Sequence, residues 1–359
     1  MSAPLNRRWV LARRPRGRPV VGDFARDDAP LPVPGPGEFL VRNVFVPVDP
    51  GMLPVLLDVP IGVDDFEPLP LGAPVGYMTV GRVAASNDPA FGVGDWVTDM
   101  LLWQDYAVTS GTTARRVDPA ILPPQAWLGV LGIPGLSAWT GLVCLGEPQP
   151  GETVLVTSAA GTVGSIAGQV AKALGCRVIG VAGGPDKCRR LIDHFGFDAA
   201  IDRHADAELT ESLRAAAPGG IDILFDNVGN RSVDTVLPLM RRHGRIVICG
   251  QIADYHLAPA ERPGIVNTNR FVTNRLTMRG LFVYDHAARF AEAEAQLAGW
   301  ARQGRLRLDE TVIDDFDELP AAFARLFTSD GAGRTIARID RDLADPAPAS
   351  GDFASHDQP

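Results

Sequence analysis

Beyond about residue 150 the chain alternates short apolar runs with segments at helical spacing, and this alternation narrows the fold more than any other feature. The runs are 153–157, 177–181, 221–225 and 245–249, separated by helical patterns over 163–174, 186–195, 207–216 and 232–240. A strand apolar on both faces must be covered on both faces, so the pattern predicts a parallel sheet between two helical layers. Residues 20–118 read differently, as short β-rich runs cut by Gly and Pro, with Gly94-Asp95 a turn signal before the run at 96–100. Such runs predict a small β barrel or sandwich. Strand-like pieces return at 311–313 and 335–337, around a helix near 320–326, and are expected to pack on the first part. The class is α/β, with no internal repeat. Residues 341–359, mostly Ala, Pro, Asp and Ser, are expected to form a disordered tail.

Charge and cysteine usage exclude several functions. Lys and Arg number 34 against 43 Asp and Glu, a net charge of −9, which argues against a nucleic-acid surface. No apolar run approaches the roughly 18 residues of a membrane span. Cys144, Cys176, Cys188 and Cys249 form no C-x-x-C pair, and the first 143 residues hold neither Cys nor His. No metal is therefore expected, and scattered thiols suit a reducing, cytoplasmic setting. The arginines Arg7, Arg8, Arg13, Arg14 and Arg16 fit a charged edge strand around residues 9–12 better than a targeting arm.

The segment from Thr153 to Gly164 reads as a buried strand, a tight turn and a helix start. Against the pattern G-x-G-x-x-G the first glycine is Ala159. Gly161 would let the backbone approach a pyrophosphate, and Gly164 would let helix and strand pack closely. Free N–H groups of Ala160, Gly161, Thr162 and Val163, at the positive end of the helix dipole, favour a diphosphate. The next strand ends in Val181-Ala182-Gly183-Gly184 and continues as Pro185-Asp186-Lys187, without the acid that usually holds a ribose 2′-hydroxyl. Lys187 stands where a 2′-phosphate would lie, with Arg189, Arg190 and Arg203 as further cationic candidates, so the expected cofactor is NADPH. Asp186 reads as a helix-start residue.

Several stretches taken in order carry a family resemblance. They include Asn6-Arg7-Arg8, Gly94-Asp95-Trp96-Val97, Leu131-Gly132-Ile133-Pro134-Gly135, the turn 159–164, Ala182-Gly183-Gly184-Pro185-Asp186-Lys187, Phe225-Asp226-Asn227-Val228-Gly229 and Gly250-Gln251-Ile252-Ala253-Asp254-Tyr255. Over residues 5–338 the chain resembles the zinc-independent medium-chain dehydrogenase/reductase superfamily, within it the prostaglandin reductase, leukotriene B4 dehydrogenase and 2-alkenal (curcumin-type) reductase family. The resemblance implies a GroES-like barrel domain over 1–125 and 305–340, a Rossmann domain over 126–304, and a homodimer paired through the Rossmann domains. It implies metal-free hydride transfer from NADPH to the β-carbon of an enone or enal. By position, Lys187 and Arg203 would meet cofactor phosphate, Gly183 would leave it room, and Asn227 would hold the nicotinamide ribose or amide. Gly250 and Ile252 would pass under the nicotinamide, with Phe282, Val283 and Tyr284 completing that end.

Departures from the family pattern fall around the substrate. Where the family reads D-P-Y-M-R, this chain reads Asp49-Pro50-Gly51-Met52-Leu53, losing a tyrosine and an arginine, and Tyr77 replaces a small or aliphatic residue. Gly331 replaces an asparagine near the cofactor, and Arg203 a tyrosine. Hydride addition to an enone builds negative charge on the carbonyl oxygen, which needs a positioned donor. Of four tyrosines, Tyr255 is the expected donor, with Tyr77 a candidate stand-in for the side chain absent at Gly51. Asp49 reads as an Asx turn and not as a base; His256 and His286 are the histidines expected near the cleft, and His194, His204 and His243 near helix ends. The same scaffold could instead serve a carbonyl or quinone oxidoreductase, a biosynthetic reductase or cyclase, or an idle NADPH-binding protein.

Overall fold

The computed structural model describes residues 5–57, 67–205, 209–328, 331 and 333–340. The expected tail at 341–359 lies outside the described residues. Two strands, β1 (Leu5–Leu11) and β2 (Phe24–Pro30), pair antiparallel with Leu11 opposite Phe24. The barrel strands are β3 (Glu38–Pro47), β4 (Thr79–Ser86), β5 (Trp96–Asp99), β6 (Tyr106–Ser110) and β7 (Arg115–Arg116). The parallel strands are β8 (Thr153–Val156), β9 (Arg177–Ala182), β10 (Ala199–Asp202), β11 (Ile221–Asp226), β12 (Met240–Ile248) and β13 (Thr277–Gly280). The chain then returns in β14 (Glu310–Ile313) and β15 (Arg334–Arg338).

The parallel sheet runs β10-β9-β8-β11-β12-β13, so the order reverses direction between β8 and β11. A crevice opens at the carboxyl ends of the strands at such a point, and ligands of doubly wound sheets bind there. Both faces are buried, as the apolar runs require. Val154, Val156, Val178, Phe225 and Val247 pack with helices Ile133–Thr140, Thr162–Ala173 and Phe290–Arg302. The alternate residues Leu155, Ile179, Leu224 and Ile246 pack with Leu213, Val233 and Val236 on the other side.

The second sheet, β14-β15-β3-β4-β5-β7 with β6 on β3, is antiparallel except for the β14/β15 pair. Its C-terminal strands join it because β15 pairs with β3, Ala337 opposite Val46. Val44, Phe45, Val80 and Ile336 of this sheet share one buried cluster with the first helical layer, so the two sheets are welded along one apolar seam. The arginine-rich start is anchored by ions: Arg7 pairs with Asp105 at 2.8 Å, Arg13 with Asp23 at 2.8 Å, and Arg8 with Asp27.

Three local readings differ from the sequence expectations. β10 and β13 were not among the apolar runs because both are edge strands, and all four residues of β13 are exposed. The helical pattern at 232–240 ends earlier, with helix Asn230–Val236, a 3-10 turn Leu237–Leu239 and Met240 already in β12; Pro238 stops the α-helix. His243 is consequently inside β12, with φ +64°, and not at a helix end.

Helix Thr162–Ala173 sits close to its sheet because Gly168 faces the ring of Phe197, where a Cβ would come within 1.8 Å of Cζ. Gly168→Ala is expected to destabilise the protein by about 1–3 kcal/mol through overpacking. Phe197→Leu in the same chain should recover part of the loss, read from urea unfolding midpoints.

Candidate active site

The turn after β8 is held from beneath. Ser158 adopts φ +48°, Gly161 N–H donates to Ser158 O at 3.0 Å, and Ala159 N–H donates to Val181 O at 2.9 Å. Gly161 is the N-cap of helix Thr162–Ala173, which carries no side-chain cap and no acid in its first turn, leaving the dipole end to an outside anion. A Cβ on Gly164 would lie 2.4 Å from Ser158 O, so glycine is required for the close approach expected there. Val163 packs against the core below. Ala160 O accepts from Gly333 N at 2.9 Å, and Thr162 Oγ1 donates to Gly333 O at 3.0 Å, which ties this turn to the start of β15.

At the next βα turn the sheet brings Gly183, Lys187 and Arg203 together. Lys187 lies in the first turn of helix Pro185–Asp193, whose N-cap Gly184 has no side-chain cap. A Cβ on Gly183 would stand 3.2 Å from Arg203 Nε and 2.9 Å from His204 Cε1, so these two side chains close over the turn. Asp202, at the end of β10, accepts from His204 N at 2.9 Å and Gly184 N at 2.7 Å, and those N–H donors hold its carboxyl below the usual range. Of the further cationic candidates, Arg189 pairs with Asp186 and Arg190 with Asp309. Asp186 is in the first helical turn, as expected.

At the end of β11 a buried network sets the crevice. Asp226 accepts from Thr157 Oγ1 at 2.7 Å and from Gly229 N at 2.8 Å; burial raises its pKa while these donors oppose the rise. Thr157 Oγ1 in turn accepts from Asn227 N at 2.9 Å, and Asn227 Nδ2 donates to Thr157 O at 2.8 Å. Asn227 is thereby fixed at the mouth between β8 and β11. Beside it, a Cβ on Gly250 would lie 3.3 Å from the Tyr255 hydroxyl and 3.5 Å from Asn227 O, so Gly250, Asn227 and Tyr255 converge. Ile252 and Tyr255 pack on the barrel cluster, carrying this loop across to the other domain.

The barrel contributes the opposite wall. Asp49 Oδ1 accepts from Gly51 N at 2.9 Å, the expected Asx turn, while Oδ2 pairs with Arg334 Nη1 at 2.6 Å. Tyr77 shares a side-chain hydrogen bond with Tyr284, which reaches in from the turn after β13. Burial first, and then the charge of Asp49, push the Tyr77 hydroxyl well above its ordinary pKa, with Arg334 acting the other way. Tyr255 is also raised, chiefly by burial, with Cys249 and Asp49 adding to it. Tyr77, Met78, Thr98, Arg334 and the start of helix Ile133–Thr140 line one hollow. The Phe282 ring lies against Tyr284, tilted by 59° with centroids 5.5 Å apart, and Val283 is buried. Leu53 does not face this space: it is fully buried among Trp9, Leu11, Val46 and Phe323, so the family's lost arginine is replaced by a barrel-core residue. Gly51 is exposed, and a Cβ there would lie 3.0 Å from Asp49 Oδ1. His256 Nδ1 is buried without a partner among the described residues.

Two family models match the chain, one described as the N-terminal domain of oxidoreductase over residues 7–117 and one as zinc-binding dehydrogenase over 162–299. The chain is 36% identical over 340 residues to the NADPH-dependent curcumin reductase of Escherichia coli, covering 93% of this chain and 97% of that one. It is 32% identical over 342 residues to the 2-alkenal reductase (NADP(+)-dependent) of Nicotiana tabacum, covering 94% and 98%. The crystal structure of CurA in complex with NADPH from Vibrio vulnificus superposes with a TM-score of 0.86 at 36% identity, over 93% of this chain and 99% of that one. The chain belongs to the curcumin and 2-alkenal reductase family.

Within this reductase, sequence reasoning missed Arg334 and Glu310 beside Thr162 of the phosphate turn, and Asp202 and His204 over the turn after β9. Arg334 was hidden at the start of a short strand whose neighbours alone looked strand-like. Among the described residues no group of three or more His, Cys, Asp or Glu could hold a metal ion, and no helix is long and apolar enough to cross a membrane.

Glu310 stands opposite Arg334 in the β14/β15 ladder, with Oε1 buried and unpartnered among the described residues. Burial pushes its pKa from 4.5 to about 7, against the opposing charge of Arg334. Since the folded value exceeds the unfolded one, the stabilising proton is fully present below the unfolded value and is lost as pH rises through about 7. Between about pH 5 and pH 8, the stability difference should move in favour of Glu310→Gln over wild type by about 2–3 kcal/mol. Parallel urea-derived stabilities of the two proteins across that range would contradict this.

Proposed function

We propose that this protein reduces the carbon–carbon double bond of an α,β-unsaturated ketone or aldehyde with NADPH and without a metal. The observation that carries the reading is the convergence of Asn227, Gly250 and the Tyr255 hydroxyl at the switch point, with the charge of Asp49 acting on both Tyr255 and Tyr77 from the barrel side. The names of the curcumin and 2-alkenal reductases, and of the NADPH complex, point to the same chemistry. We also read the chain as a barrel domain over 1–125 and 305–340 and a Rossmann domain over 126–304, a division supported by the β15/β3 ladder.

The residues present fit NADPH. The uncapped N-terminus of helix Thr162–Ala173 suits the diphosphate through the N–H groups of Ala160, Thr162, Val163 and Gly164, whereas the Gly161 N–H expected to be free is already given to Ser158 O. Lys187, in the first turn of helix Pro185–Asp193, and Arg203, beside Gly183, suit the 2′-phosphate, with no acid at the end of β9. Asn227, Gly250, Ile252, Phe282, Val283 and Tyr284 would surround the nicotinamide end. NADPH when bound supplies the hydride that adds to the substrate β-carbon.

The work of the chain is on the other end of the double bond. Negative charge gathers on the carbonyl oxygen, and the Tyr255 hydroxyl donates a hydrogen bond to it; its raised pKa keeps the proton in place for that role. Tyr77, oriented by Tyr284, supplies a second polar group where Gly51 offers none. Tyr255 or solvent then protonates the α-carbon. The N-terminal 143 residues lack the Cys and His ligands a zinc alcohol dehydrogenase requires, which supports a metal-independent reaction. The exposed edge β13, flanked by Val266 and Val272 at 81% and 79% exposure, supports pairing of two copies through the parallel sheets.

NADPH consumption is expected with enals and enones, with saturated ketone or aldehyde as product; carbonyl reduction, or no turnover with any of them, would remove the reading. Lys187→Ala should weaken NADPH binding about tenfold or more while changing NADH binding little. Tyr255→Phe should lower kcat about tenfold or more; an unchanged kcat would make Tyr255 a wall residue only.

A further inference from the structure

The Arg334–Asp49 pair is an unusual thing to find beside a site that develops negative charge. Arg334 is buried at 4% exposure and Asp49 partly buried at 15%, and the pair lies between the barrel and the cofactor turn. Arg334 Nη1 donates to Asp49 Oδ2 at 2.6 Å and to Val48 O at 3.2 Å, while its backbone N–H donates to Asp309 O. One residue earlier, Gly333 is bonded to Ala160 and Thr162. The groups facing Arg334 are Asp49, Glu310 and Tyr77. Those facing Asp49 are Arg334, Tyr77, Tyr255 and Cys249. Asp49 is therefore an anion whose charge reaches both tyrosines of the cleft while its oxygens are held by Gly51 N–H and Arg334, the cation that answers it.

A bare carboxylate there would act against the reaction in two ways. It would repel the charge building on the substrate oxygen, because Coulomb energies are large where water is excluded. It would also be free to turn towards the tyrosine hydroxyls and compete for their hydrogen bonds. We propose that Arg334 is a positioning residue for the reduction, which fixes the Asp49 carboxylate and cancels its charge so that the oxyanion forms against a neutral wall. The inference rests on the enone-reductase reading for its kinetic consequence, but its electrostatic part concerns the protein alone.

The test uses the full chain with four variants: R334Q, R334K, D49N and R334Q/D49N. Asparagine keeps the Oδ1 acceptor for Gly51 N–H, so D49N removes charge without removing the turn. R334Q should lower kcat for an enone about 10- to 100-fold, with a much smaller change in NADPH affinity. R334K should retain most of the activity. R334Q/D49N should be several-fold faster than R334Q, since the second change deletes the anion that the first exposed. Ultraviolet titration of tyrosinate in the protein without cofactor supplies a readout independent of turnover: the high-pH transition should rise in R334Q and fall in D49N. A kcat for R334Q within about twofold of wild type, or a double variant no faster than R334Q, overturns the proposal. Should R334Q not fold by circular dichroism, D49N decides alone, and a tyrosine transition no lower than in wild type overturns it. A wild-type protein that reduces no enone would refute the functional reading instead, and the titration would still judge the charge argument.

Discussion

The site exists because the start of β15 is stitched to the phosphate turn of the other domain. Gly333 gives its N–H to Ala160 O and takes the hydroxyl of Thr162, both at about 3 Å. The next residue, Arg334, is committed to Asp49 and Val48 of the barrel. Gly333 sits at φ +65°, and a Cβ there would meet Asp309 at 2.7 Å, so no other residue fits without movement. Two successive residues thus fix the distance between the turn suited to a diphosphate and the wall that faces a substrate. Hydride transfer needs its partners held about 3–3.5 Å apart, and a joint of this stiffness between domains serves that demand.

The electrostatics of the crevice follow one rule: ionisable groups are kept in one protonation form by burial and by their hydrogen-bond or ion partners. The tyrosines are held protonated, Asp226 is occupied by Thr157 and by N–H groups, and Asp49 is matched by Arg334. Cys249, pushed up to about 12 by burial, remains a thiol and contributes no charge. The charges in this wall are therefore paired or buried and its tyrosines stay protonated, which would let a developing negative charge be stabilised by hydroxyl donors.

Much of this was legible in the chain itself. The double-sided apolar runs fixed the parallel sheet, because β8, β9, β11 and the second half of β12 are buried on both faces. The turn after β8 was legible because glycine spacing there answers a local steric demand. What was not legible depends on partners distant in sequence. β13 carries no apolar signature because it is an exposed edge. Leu53 read as a lost arginine beside the substrate when set against D-P-Y-M-R, yet its side chain turns into the barrel core. Arg334 and Asp49 are 285 residues apart, and nothing in either neighbourhood announces the other. Tyr77 was singled out from its position, but its partner Tyr284 comes from the far domain and only the fold brings them together.

The most direct measurement follows the label from NADPH carrying deuterium at the transferable C4 position into the product of a single turnover with an enone. The account requires the deuterium on the former β-carbon of a saturated ketone, with the α-carbon hydrogen drawn from solvent. Deuterium on the carbonyl carbon of an allylic alcohol, or label that never leaves the nucleotide, would contradict it.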